Sequence, residues 1–519
     1  MSEKELPAGW VPAQLGDVLL TIEAGKSFAC EPRQADVDEW GIIKVSAMTW
    51  GLFDERENKA VPDGRPINPA YEIRPGDILV SRANTRAYVG APVLVGQCRS
   101  KLLLSDKSLR LVPSDLLSKK WLVHLLGSPE MRQWISDKAT GTKDSMRNIS
   151  QQVLLDAPFL LPPREEQDRV VEALEDHLSR LDAAGADLEL AGVKVDRLIS
   201  AVQARAVTGG FSRRVEADEA MQPSEVHEES RKRARRRWTA TTPTAVPGFF
   251  PPENWTVVSL GSLCYESGYG TSTKCAQDAA GSPVLRIPNV QGGSIDLSDV
   301  KNAVDDSIDL SKYFLSAGDL LFVRTNGSPG LIGRVGVVRE ALDAAFASYL
   351  IRFRLVPGLV EPRWIHLVTQ SPLWRREIER RAASSAGQYN LNIESLSSLP
   401  VPLPPVEVQR ETLRAVDAKV DAARRLSGSA ELAKARAEHL RNSLLRQAFY
   451  GQLTLQDPAD EPATALLARI QAERAAQPRA KRARRAPAAS PKAKAPAISA
   501  PVPSPTPAPT HAVQQEFAL

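Results

Sequence analysis

The segment Asn68-Pro69-Ala70-Tyr71 is the part of the sequence that comes nearest to a catalytic motif. Enzymes that methylate the amino group of adenine use Asn/Asp-Pro-Pro-Tyr, in which the carboxamide and a backbone carbonyl hold the amine while the aromatic ring stacks on a flipped base. Here the third residue is alanine, and no glycine-rich turn that could bind S-adenosylmethionine precedes the segment. We therefore predict a turn before a strand at this point.

Other reactive sites are equally poorly supported. Residues 268–274 read Gly-Tyr-Gly-Thr-Ser-Thr-Lys, but they lack the Gly-Lys-Ser/Thr ending that binds nucleotide phosphates, so we expect a loop along a phosphate backbone or a plain turn. The six histidines and four cysteines lack the spacing of a triad, a zinc site or a disulfide framework. We expect His124 and His366 to be packing residues. The sequence thus predicts no catalytic residue, no metal site and no cofactor in this chain.

An internal duplication with an offset of about 242 residues is the strongest feature of the sequence. Leu161-Pro162-Pro163 with Gln167 is matched by Leu403-Pro404-Pro405 with Gln409. Other matched pairs are Trp10 and Trp255, Gly76-Asp77 and Gly318-Asp319, Arg82 and Arg324, Asn84 and Asn326, Trp121 and Trp364, Ser128-Pro129 and Ser371-Pro372, and Gly209 and Gly451. A period this long indicates two duplicated domains.

Each copy is predicted to contain a mixed lobe of about 160 residues and then one long helix. Short β-branched runs such as 78–81 and 320–324 predict strands, and helices are expected near 118–137 and 361–381. The long helices start after Pro162-Pro163 and its counterpart, because proline is tolerated where first-turn amides are unpaired.

Apolar residues recur by threes and fours along both long helices, which is typical of a coiled-coil seam. The first seam is Val171, Leu174, Leu178, Leu181, Leu188, Val195, Ile199 and Val202, with Gly185 and Gly192 predicted as sites of close approach. The second is Leu413, Val416, Val420, Ala423, Leu426, Ala430, Ala433, Ala437, Leu440 and Leu444, with a predicted three-residue slip near Ala423.

Neither helix can bury its seam alone, so we predict that the two helices pack against each other. If each lobe lies at the start of its own helix, the helices must be antiparallel with one lobe at each end. The first seam would span roughly 46 Å at 1.5 Å per residue, a separation suited to duplex DNA, whose major grooves recur on one face every ~34–36 Å. The predicted fold class is α+β, with two similar mixed α/β lobes separated by two long antiparallel coiled-coil helices in a pseudo-twofold internal repeat.

The net charge of +4 is unevenly distributed along the 519 residues. Residues 212–237 carry eight basic and six acidic side chains, and residues 456–519 carry nine and five, so the remainder has a balance of −2. Charge runs at 231–237 and 481–485 and the Ala/Pro/Lys composition predict a charged flexible linker at 212–247 and a disordered tail at 454–519. The chain has no apolar run that predicts a membrane span and no signal-peptide pattern at its start, so a cytoplasmic location is expected.

With this duplication in view, the sequence resembles the specificity subunits of type I restriction–modification systems, the HsdS family. The likeness rests on the two Leu-Pro-Pro segments at 161–167 and 403–409, on the two Gly-Asp strands, and on 268–271 followed by 283–290; it covers roughly residues 6–211 and 250–455. The resemblance implies two target recognition domains at 1–163 and 248–405. It also implies two spacer helices at 164–211 and 406–453.

The same resemblance implies a DNA-binding subunit without catalytic activity. Each lobe would recognise one half of an interrupted, asymmetric DNA sequence, and the helices would set the spacer and bind two modification subunits. Those subunits would use S-adenosylmethionine to methylate adenine, and two restriction subunits would use ATP and Mg²⁺ to translocate and cleave unmethylated DNA. The resemblance assigns no role to the charged linker or the tail.

Exposed loops that follow strands are the natural places for contacts to DNA, since Arg pairs with guanine and Asn or Gln with adenine. The candidates in the first lobe are Lys26, Lys44, Ser46, Arg82, Asn84, Thr85 and Arg86. Those in the second lobe are Tyr269, Thr271, Lys274, Arg286, Asn289, Gln291, Arg324, Thr325, Asn326 and Ser328. Positions shared by both lobes are expected to contact phosphate or support a loop, whereas differing ones, such as Gln291 opposite Thr49 and Ser328 opposite Arg86, are expected to specify sequence.

Three alternatives stay open at this point. The chain could serve a methylation-only or type II-like system, which would differ only in its partners. It could be a DNA methyltransferase or nuclease in its own right, for which S-adenosylmethionine binding by the isolated chain would be diagnostic. It could also be a protein–protein scaffold, which failure to retain DNA in the presence of partners would favour.

Overall fold

The computed structural model describes residues 6–49, 51–143, 146–234, 242–385 and 387–476. In the described part of lobe one (residues 6–163), the α-helices are α1 (Leu15–Val18), α2 (Lys119–Gly127), α3 (Pro129–Lys138) and α4 (Gln151–Leu155). Its strands are β1 (Val11–Gln14), β2 (Leu19–Ala24), β3 (Gly41–Ile43), β4 (Asn58–Ala60), β5 (Ile78–Ser81), β6 (Ala83–Asn84), β7 (Pro92–Leu94), β8 (Leu102–Leu103), β9 (Ser108–Pro113), β10 (Thr140–Lys143), β11 (Met146–Asn148) and β12 (Pro158–Leu161).

Two helices connect lobe one to the rest of the chain, the long α5 (Arg164–Val207) and the short α6 (Pro223–Arg233). Lobe two (residues 248–405) has the strands β13 (Thr256–Ser259), β14 (Cys264–Tyr269), β15 (Cys275–Ala276), β16 (Pro283–Leu285), β17 (Val290–Gln291), β18 (Ser294–Ile295), β19 (Lys301–Ala303), β20 (Leu320–Val323), β21 (Thr325–Asn326), β22 (Val335–Val337), β23 (Ala345–Phe346), β24 (Leu350–Leu355), β25 (Ala383–Ser385), β26 (Gln388–Asn390) and β27 (Pro400–Leu403). Its helices are α7 (Pro362–Gln370), α8 (Pro372–Arg381) and α9 (Ile393–Ser397), and α10 (Val406–Phe449) and α11 (Ala463–Ala476) follow.

Three sheets have the same strand order in both lobes, which confirms that the sequence repeat is a repeat of folded units; the sheet β4-β3-β8 recurs with an added strand as β15-β19-β16-β23, and among the described residues β17-β18 occurs only in lobe two. The largest sheet has the order β2-β9-β5-β7 in lobe one and β14-β24-β20-β22 in lobe two. A three-stranded ribbon, β10-β11-β6, recurs as β25-β26-β21, and the pair β1-β12 recurs as β13-β27. The predicted fold class, two similar mixed lobes and two long antiparallel helices, is therefore confirmed.

The repeated Gly-Asp motif forms a turn that is tied to the large sheet. In lobe two, Gly318 has a φ of +90°, which a residue with a side chain adopts only under strain. The Asp319 carboxylate accepts a hydrogen bond from the backbone N–H of Ser316 at 2.9 Å and lies 3.3 Å from the guanidinium of Arg354. Asp77 makes the equivalent contacts in lobe one. The motif is thus a structural requirement of the lobe.

Each predicted helix near 118–137 and 361–381 is in fact two helices. The break falls at Ser128-Pro129 between α2 and α3, and at Ser371-Pro372 between α7 and α8. Proline cannot donate the next helical hydrogen bond and disfavours helical geometry at the residue before it. In lobe one, the Ser128 side chain also accepts from the backbone N–H of Met131 and so starts the second helix.

The two long helices pack antiparallel, as predicted. Lys434 on α10 lies 3.3 Å from Glu189 on α5, and Arg441 pairs with Asp182 one heptad further on. As the residue number rises on one helix it falls on the other, so the pairing is consistent with a pseudo-twofold axis between them. The predicted α5 seam is confirmed, since every one of its apolar members is buried or half-buried.

Two details of the predicted seam are wrong. A Cβ added at Gly185 or Gly192 would meet nothing within 4 Å, so neither glycine is a site of close approach. On α10 the half-buried residue that follows Ala423 in the seam is Ser427, whereas Leu426 and Leu440, which were predicted in the seam, are 57% and 49% exposed. A cavity of about 290 Å³ lies beside Gly185, between α5 and α10, and is lined by residues of both helices.

The far end of each long helix completes the core of the opposite lobe. Val202, at the end of α5, is buried in the same hydrophobic cluster as the lobe two residue Trp364. Phe449, at the end of α10, packs in lobe one with its ring centroid 5.9 Å from that of Trp121. Each lobe is therefore built from both halves of the chain.

The predictions of a flexible linker at 212–247 and a disordered tail at 454–519 are wrong for parts of both segments. α6 buries Val226 in the core of lobe two, and α11 buries Leu466 and Ile470 in the core of lobe one. The apolar side chains of these short helices find a hydrophobic surface on the lobes that composition alone does not predict. Residues 235–241 and 477–519, which hold half of the first basic run and all of the second, lie outside the described residues.

Candidate nucleic-acid interface

One end of each large sheet gathers the polar residues predicted to contact DNA. In lobe one, Ala24 pairs with Leu109 and Ser81 pairs with Ser108, so β2 and β5 both reach the start of β9. Lys26 and Arg82 follow these strands and are exposed. The structure therefore brings these two cations to the same end of the sheet.

Gly25 explains the path of the loop that carries Lys26. A Cβ at Gly25 would lie 2.0 Å from the backbone oxygen of Leu104, the residue after β8, so only glycine allows the loop to pass this close to that backbone. Gly270 stands in the same relation to the backbone oxygen of Phe346, at 2.1 Å. The loops 25–28 and 270–274 are thus structurally equivalent.

The loop after β5 contains the remaining candidates at this end of lobe one. Arg82 donates to the backbone oxygen of Asp106 at 3.5 Å, and the Asn84 carboxamide accepts from the backbone N–H of Thr85 at 2.8 Å. Thr85 and Arg86 are exposed, and the Arg86 guanidinium lies 3.9 Å from Asp137. These side chains surround an accessible, positively charged surface that could contact phosphates.

Lys44 and Ser46 are placed around one carboxylate after β3. The Lys44 ammonium lies 3.5 Å from Glu57, and the Ser46 hydroxyl donates a hydrogen bond to the same group. This hydrogen bond and the ammonium lower the pKa of Glu57 below its usual range. Lys44 is therefore partly neutralised within the lobe, which makes it a weaker candidate for phosphate contact than Lys26.

In lobe two, the shared arginine has a structural role. The Arg324 guanidinium lies over the ring of Tyr269 at 4.7 Å and donates to the backbone oxygens of Leu391 and Ser348, each at 3.3 Å. The Tyr269 hydroxyl in turn accepts from the backbone N–H of Ile393. Arg324 therefore joins the end of the large sheet to neighbouring loops, as expected for a position that both lobes share.

Four further candidates in lobe two are accessible or partly accessible. Thr325 donates to the Asn390 carboxamide at 2.9 Å, and Asn326 accepts from the backbone N–H of Ser328 at 2.8 Å. Ser328 and Lys274 are exposed, as their predicted role requires.

The remaining candidates lie around the turn at 286–291. Arg286 is 3.1 Å from Asp299, and the exposed Gln291 donates to the backbone oxygen of Pro288 at 2.8 Å. Asn289 is only 1% exposed, and its carboxamide is fully used within the turn, accepting from Arg286 N–H and donating to two backbone oxygens. The prediction that Asn289 contacts DNA is corrected to a structural role.

Thr271 is a second correction. It is 7% exposed, its backbone N–H donates to the oxygen of Phe346, and its hydroxyl is 2.7 Å from that of Thr273. The buried position follows from the close crossing at Gly270, which presses the next residue against β23. Thr271 therefore shapes the loop and leaves the contact to exposed neighbours such as Lys274.

Sequence reasoning missed the three-stranded ribbons, β10-β11-β6 and β25-β26-β21. In each lobe the ribbon pairs with the strand that holds the shared asparagine: Arg147 is opposite Asn84, and Tyr389 is opposite Asn326. The available signal was an asparagine repeated at Asn148 and Asn390, 242 residues apart, with Gly and Ser residues before each. The ribbons lie beside the predicted contacts and enlarge the candidate interface.

The motifs considered for chemistry have structural explanations. The Asn68 carboxamide accepts from the backbone N–H of Ala70 at 3.1 Å and so closes its own turn. His366 on α7 is largely buried, which lowers its pKa to about 4, and a Cβ at Gly293 would lie 2.6 Å from its Nε2. Burial also lowers the pKa of His124 on α2. Within the described ranges, no group of three or more His, Cys, Asp or Glu side chains is placed to hold a metal ion.

None of the helices in the described part of the chain combines the length and apolarity needed to cross a membrane. The long helices instead carry charged residues over most of their surface, in accord with a role between the lobes.

Comparison with known proteins gives concordant results. Residues 252–426 match the family model "Type I restriction modification DNA specificity domain". The chain is 27% identical over 495 residues to the type I restriction enzyme EcoKI specificity subunit of Escherichia coli K12, covering 92% of this chain and 98% of that protein. It is 36% identical over 189 residues to the EcoEI specificity subunit of Escherichia coli, covering 36% and 32% of the two chains.

Solved structures share the fold. One chain, from a study of "complex assembly and conformational transition of the type I R-M system", aligns with a TM-score of 0.62 at 18% identity, covering 86% of this chain and all of that one. The HsdS subunit from Thermoanaerobacter tengcongensis aligns with a TM-score of 0.50 at 18% identity, covering 87% and 99%. With the duplicated lobes, the antiparallel helices and the domain match at 252–426, the chain is similar along most of its length to the specificity subunits of type I restriction–modification systems.

Proposed function

We propose that this chain selects the DNA sequence on which a type I restriction–modification complex acts, with each lobe recognising one half of an interrupted, asymmetric site. The observation that carries the proposal is the pair of like lobes held at opposite ends of one antiparallel helix pair. Equivalent backbone positions in the two lobes carry different exposed side chains, such as Arg86 and Ser328. Two similar surfaces with different chemistry suit two different half-sites.

The helix pair would fix the spacer between the half-sites. Each long helix has 44 residues, which corresponds to roughly 66 Å at 1.5 Å per residue. Because each helix is anchored at its start in its own lobe and at its end in the other, the separation of the lobes is set by helix length. Insertion or deletion of residues in both helices should therefore change the spacer of the recognised sequence.

We further propose that the chain has no catalytic activity of its own and binds two modification subunits. The pseudo-twofold repeat supports this number, since it produces two equivalent surfaces. Two pairs of leucines separated by 242 residues are exposed along the helices: Leu190 and Leu432, at 49% and 62%, and Leu198 and Leu440, at 50% and 49%. S-adenosylmethionine would bind to these partners, ATP and Mg²⁺ to two restriction subunits, and the assembly would work in the cytoplasm.

Mapping of methylated adenines tests the proposal. Genomic DNA from a host with the chain and from a host lacking it would be sequenced with detection of N6-methyladenine. We expect an interrupted motif that is methylated only when the chain is present, and replacement of residues 1–163 by another lobe should change one half of that motif. A contiguous motif, or methylation that persists without the chain, would contradict the proposal.

Assays of the purified complex of this chain with its partner subunits separate the remaining alternatives. If the purified complex cleaves unmethylated DNA with ATP, a restriction partner is present; if it only methylates, the system is of the methylation-only kind. Binding of S-adenosylmethionine by the chain without its partners would contradict the proposed division of labour.

A further inference from the structure

The ribbons β10-β11-β6 and β25-β26-β21 allow the two lobes to be compared residue by residue. Asn148 is opposite Ala83 in lobe one, and Asn390 is opposite Thr325 in lobe two, in the same antiparallel register. Counting back two residues on β11 and β26 gives Met146 and Gln388. These two residues therefore occupy equivalent backbone positions with unlike side chains.

The pleat of the ribbon decides which side chains face outward. Successive residues of a strand point to opposite faces, so Arg147 and Tyr389 share one face and the residues on either side share the other. Tyr389 packs against the core of lobe two, and Arg147 is half-buried with its guanidinium donating to the backbone oxygen of Gly141 at 2.9 Å. The first face is thus turned toward the lobe.

The opposite face is accessible in both lobes. Met146 is 50% exposed, and Gln388 is exposed as well. Asn390, on the same face, is tied to Thr325 by a hydrogen bond of 2.9 Å. Positions 146 and 388 therefore combine accessibility with a difference between the lobes, which the shared Asn and Arg positions lack.

We propose that Met146 and Gln388 are specificity-determining residues, an inference that rests on the proposed function. A two-stranded ribbon fits the major groove of B-DNA, so a side chain on its outer face can reach base edges. The Gln388 carboxamide can pair with N6 and N7 of adenine together, whereas Met146 offers only apolar contact, for which the methyl group of thymine is the matching base feature. Gln388 recognises an adenine in the half-site of lobe two, and Met146 a thymine in that of lobe one.

Other residues near the ribbons are less suited to this role. Arg324 is held by two backbone oxygens and the Tyr269 ring, and Asn289 is buried. Lys26 and Arg82 are accessible, but Arg82 is shared with Arg324 of lobe two and cannot by itself distinguish the two half-sites, and we expect Lys26 to contact phosphate. Specificity therefore has to come from positions that differ between the lobes.

The test uses the full chain in complex with its modification subunits and exchanges the two residues. Gln388→Met and Met146→Gln are prepared singly and together, with Val37→Gln as a control, because Val37 is an apolar side chain that is 75% exposed and outside the ribbon. Binding and methylation are measured on duplexes in which each base pair of the wild-type motif is varied in turn. The wild-type motif is first determined by methylation mapping.

We expect Gln388→Met to lower the preference for adenine at one position of the lobe two half-site by about ten-fold, the factor of one bidentate base contact. Met146→Gln should remove the preference for thymine at one position of the other half-site, and Val37→Gln should change neither. If both exchanges leave every base preference unchanged while the wild-type chain still directs methylation, this inference is wrong and the proposed function stands. If the wild-type chain directs no methylation, the proposed function itself fails.

Discussion

Replacing Phe449 with alanine should destabilise lobe one, although this residue belongs to the second half of the chain. Phe449 is 8% exposed, and its ring packs edge-on against Trp121, which in turn contacts Phe159 at 5.8 Å. Truncation of a buried phenylalanine costs about 3–5 kcal/mol through lost transfer energy and the cavity left behind. We therefore expect the free energy of unfolding of lobe one to fall by about 4 kcal/mol.

Hydrogen exchange followed by mass spectrometry locates this effect. Amides of α2 and α3 in lobe one should exchange at least about a hundred-fold faster, while those of α7 and α8 in lobe two should change little. Tyr450→Ala is the matched control, because Tyr450 is the next residue and is 51% exposed; its effect should stay within about 0.5 kcal/mol. Unchanged exchange in lobe one, or equal loss of protection in both lobes, would refute the cross-lobe packing.

Two further predictions concern pH and salt. Burial and the neighbouring cations Arg363 and Arg424 lower the pKa of His366 from 6.5 to about 4, so the ring is neutral in the folded lobe. The free energy of unfolding is therefore unaffected by this group above about pH 6.5. It falls by about 3 kcal/mol as the pH decreases toward 4, because the unfolded chain binds the proton more readily. Urea unfolding of lobe two at pH 7.5 and 4.5 should show this dependence in the wild type and less of it in His366→Gln, and an equal dependence in both would contradict the assignment. Lys26→Ala should weaken DNA binding at every sequence and reduce the slope of log affinity against log salt by about one. The control Lys120→Ala, on α2, should change neither the affinity nor the slope. A change in base preference in Lys26→Ala would show that Lys26 does more than contact phosphate.

The architecture could be predicted because its signals are periodic and duplicated. The seam of α5 is visible as apolar residues at intervals of three and four, and one repeat offset relates the lobes, so antiparallel packing follows from connectivity. The α10 seam was harder because Ser427 occupies a seam position while Leu426 is a more apolar neighbour on the outer surface. Hydrophobicity alone cannot distinguish a leucine that packs in the helix pair from one that is free to bind another subunit.

The short helices α6 and α11 also could not be predicted from the composition of their own segments. Composition predicts disorder there, because charges are frequent around α6 and the segment that contains α11 is rich in Ala, Pro and Lys. Their burial depends on surfaces of the lobes that are distant in sequence, such as Gly9, whose backbone oxygen accepts from the N–H of Ala463 at 2.9 Å. A repeated Ala-Asp-Glu, at 217–219 and 459–461, is the trace of these helices in the sequence.

The candidate interface was predictable as a region and less so as individual residues. The expectation that loops after strands carry the contacts leads to one end of the large sheet of lobe one, where Lys26 and Arg82 lie together. Asn289 and Thr271 were assigned to DNA because their side chains can form base contacts, but their hydrogen bonds are used within the lobe. Whether a polar side chain serves a turn or a ligand depends on tertiary contacts that the sequence does not display.

The exchange of helix ends between the lobes has a consequence for biosynthesis. Domains usually fold in the order in which the ribosome makes them, at about 5–20 residues per second. Lobe one is incomplete until α11 has emerged, about 300 residues after its own last strand, which corresponds to a delay of roughly 15–60 s. Lobe two needs only segments made before it or directly after it. The lobe that is translated second should therefore be the first to mature, and the nascent first lobe should be the stage most vulnerable to proteolysis.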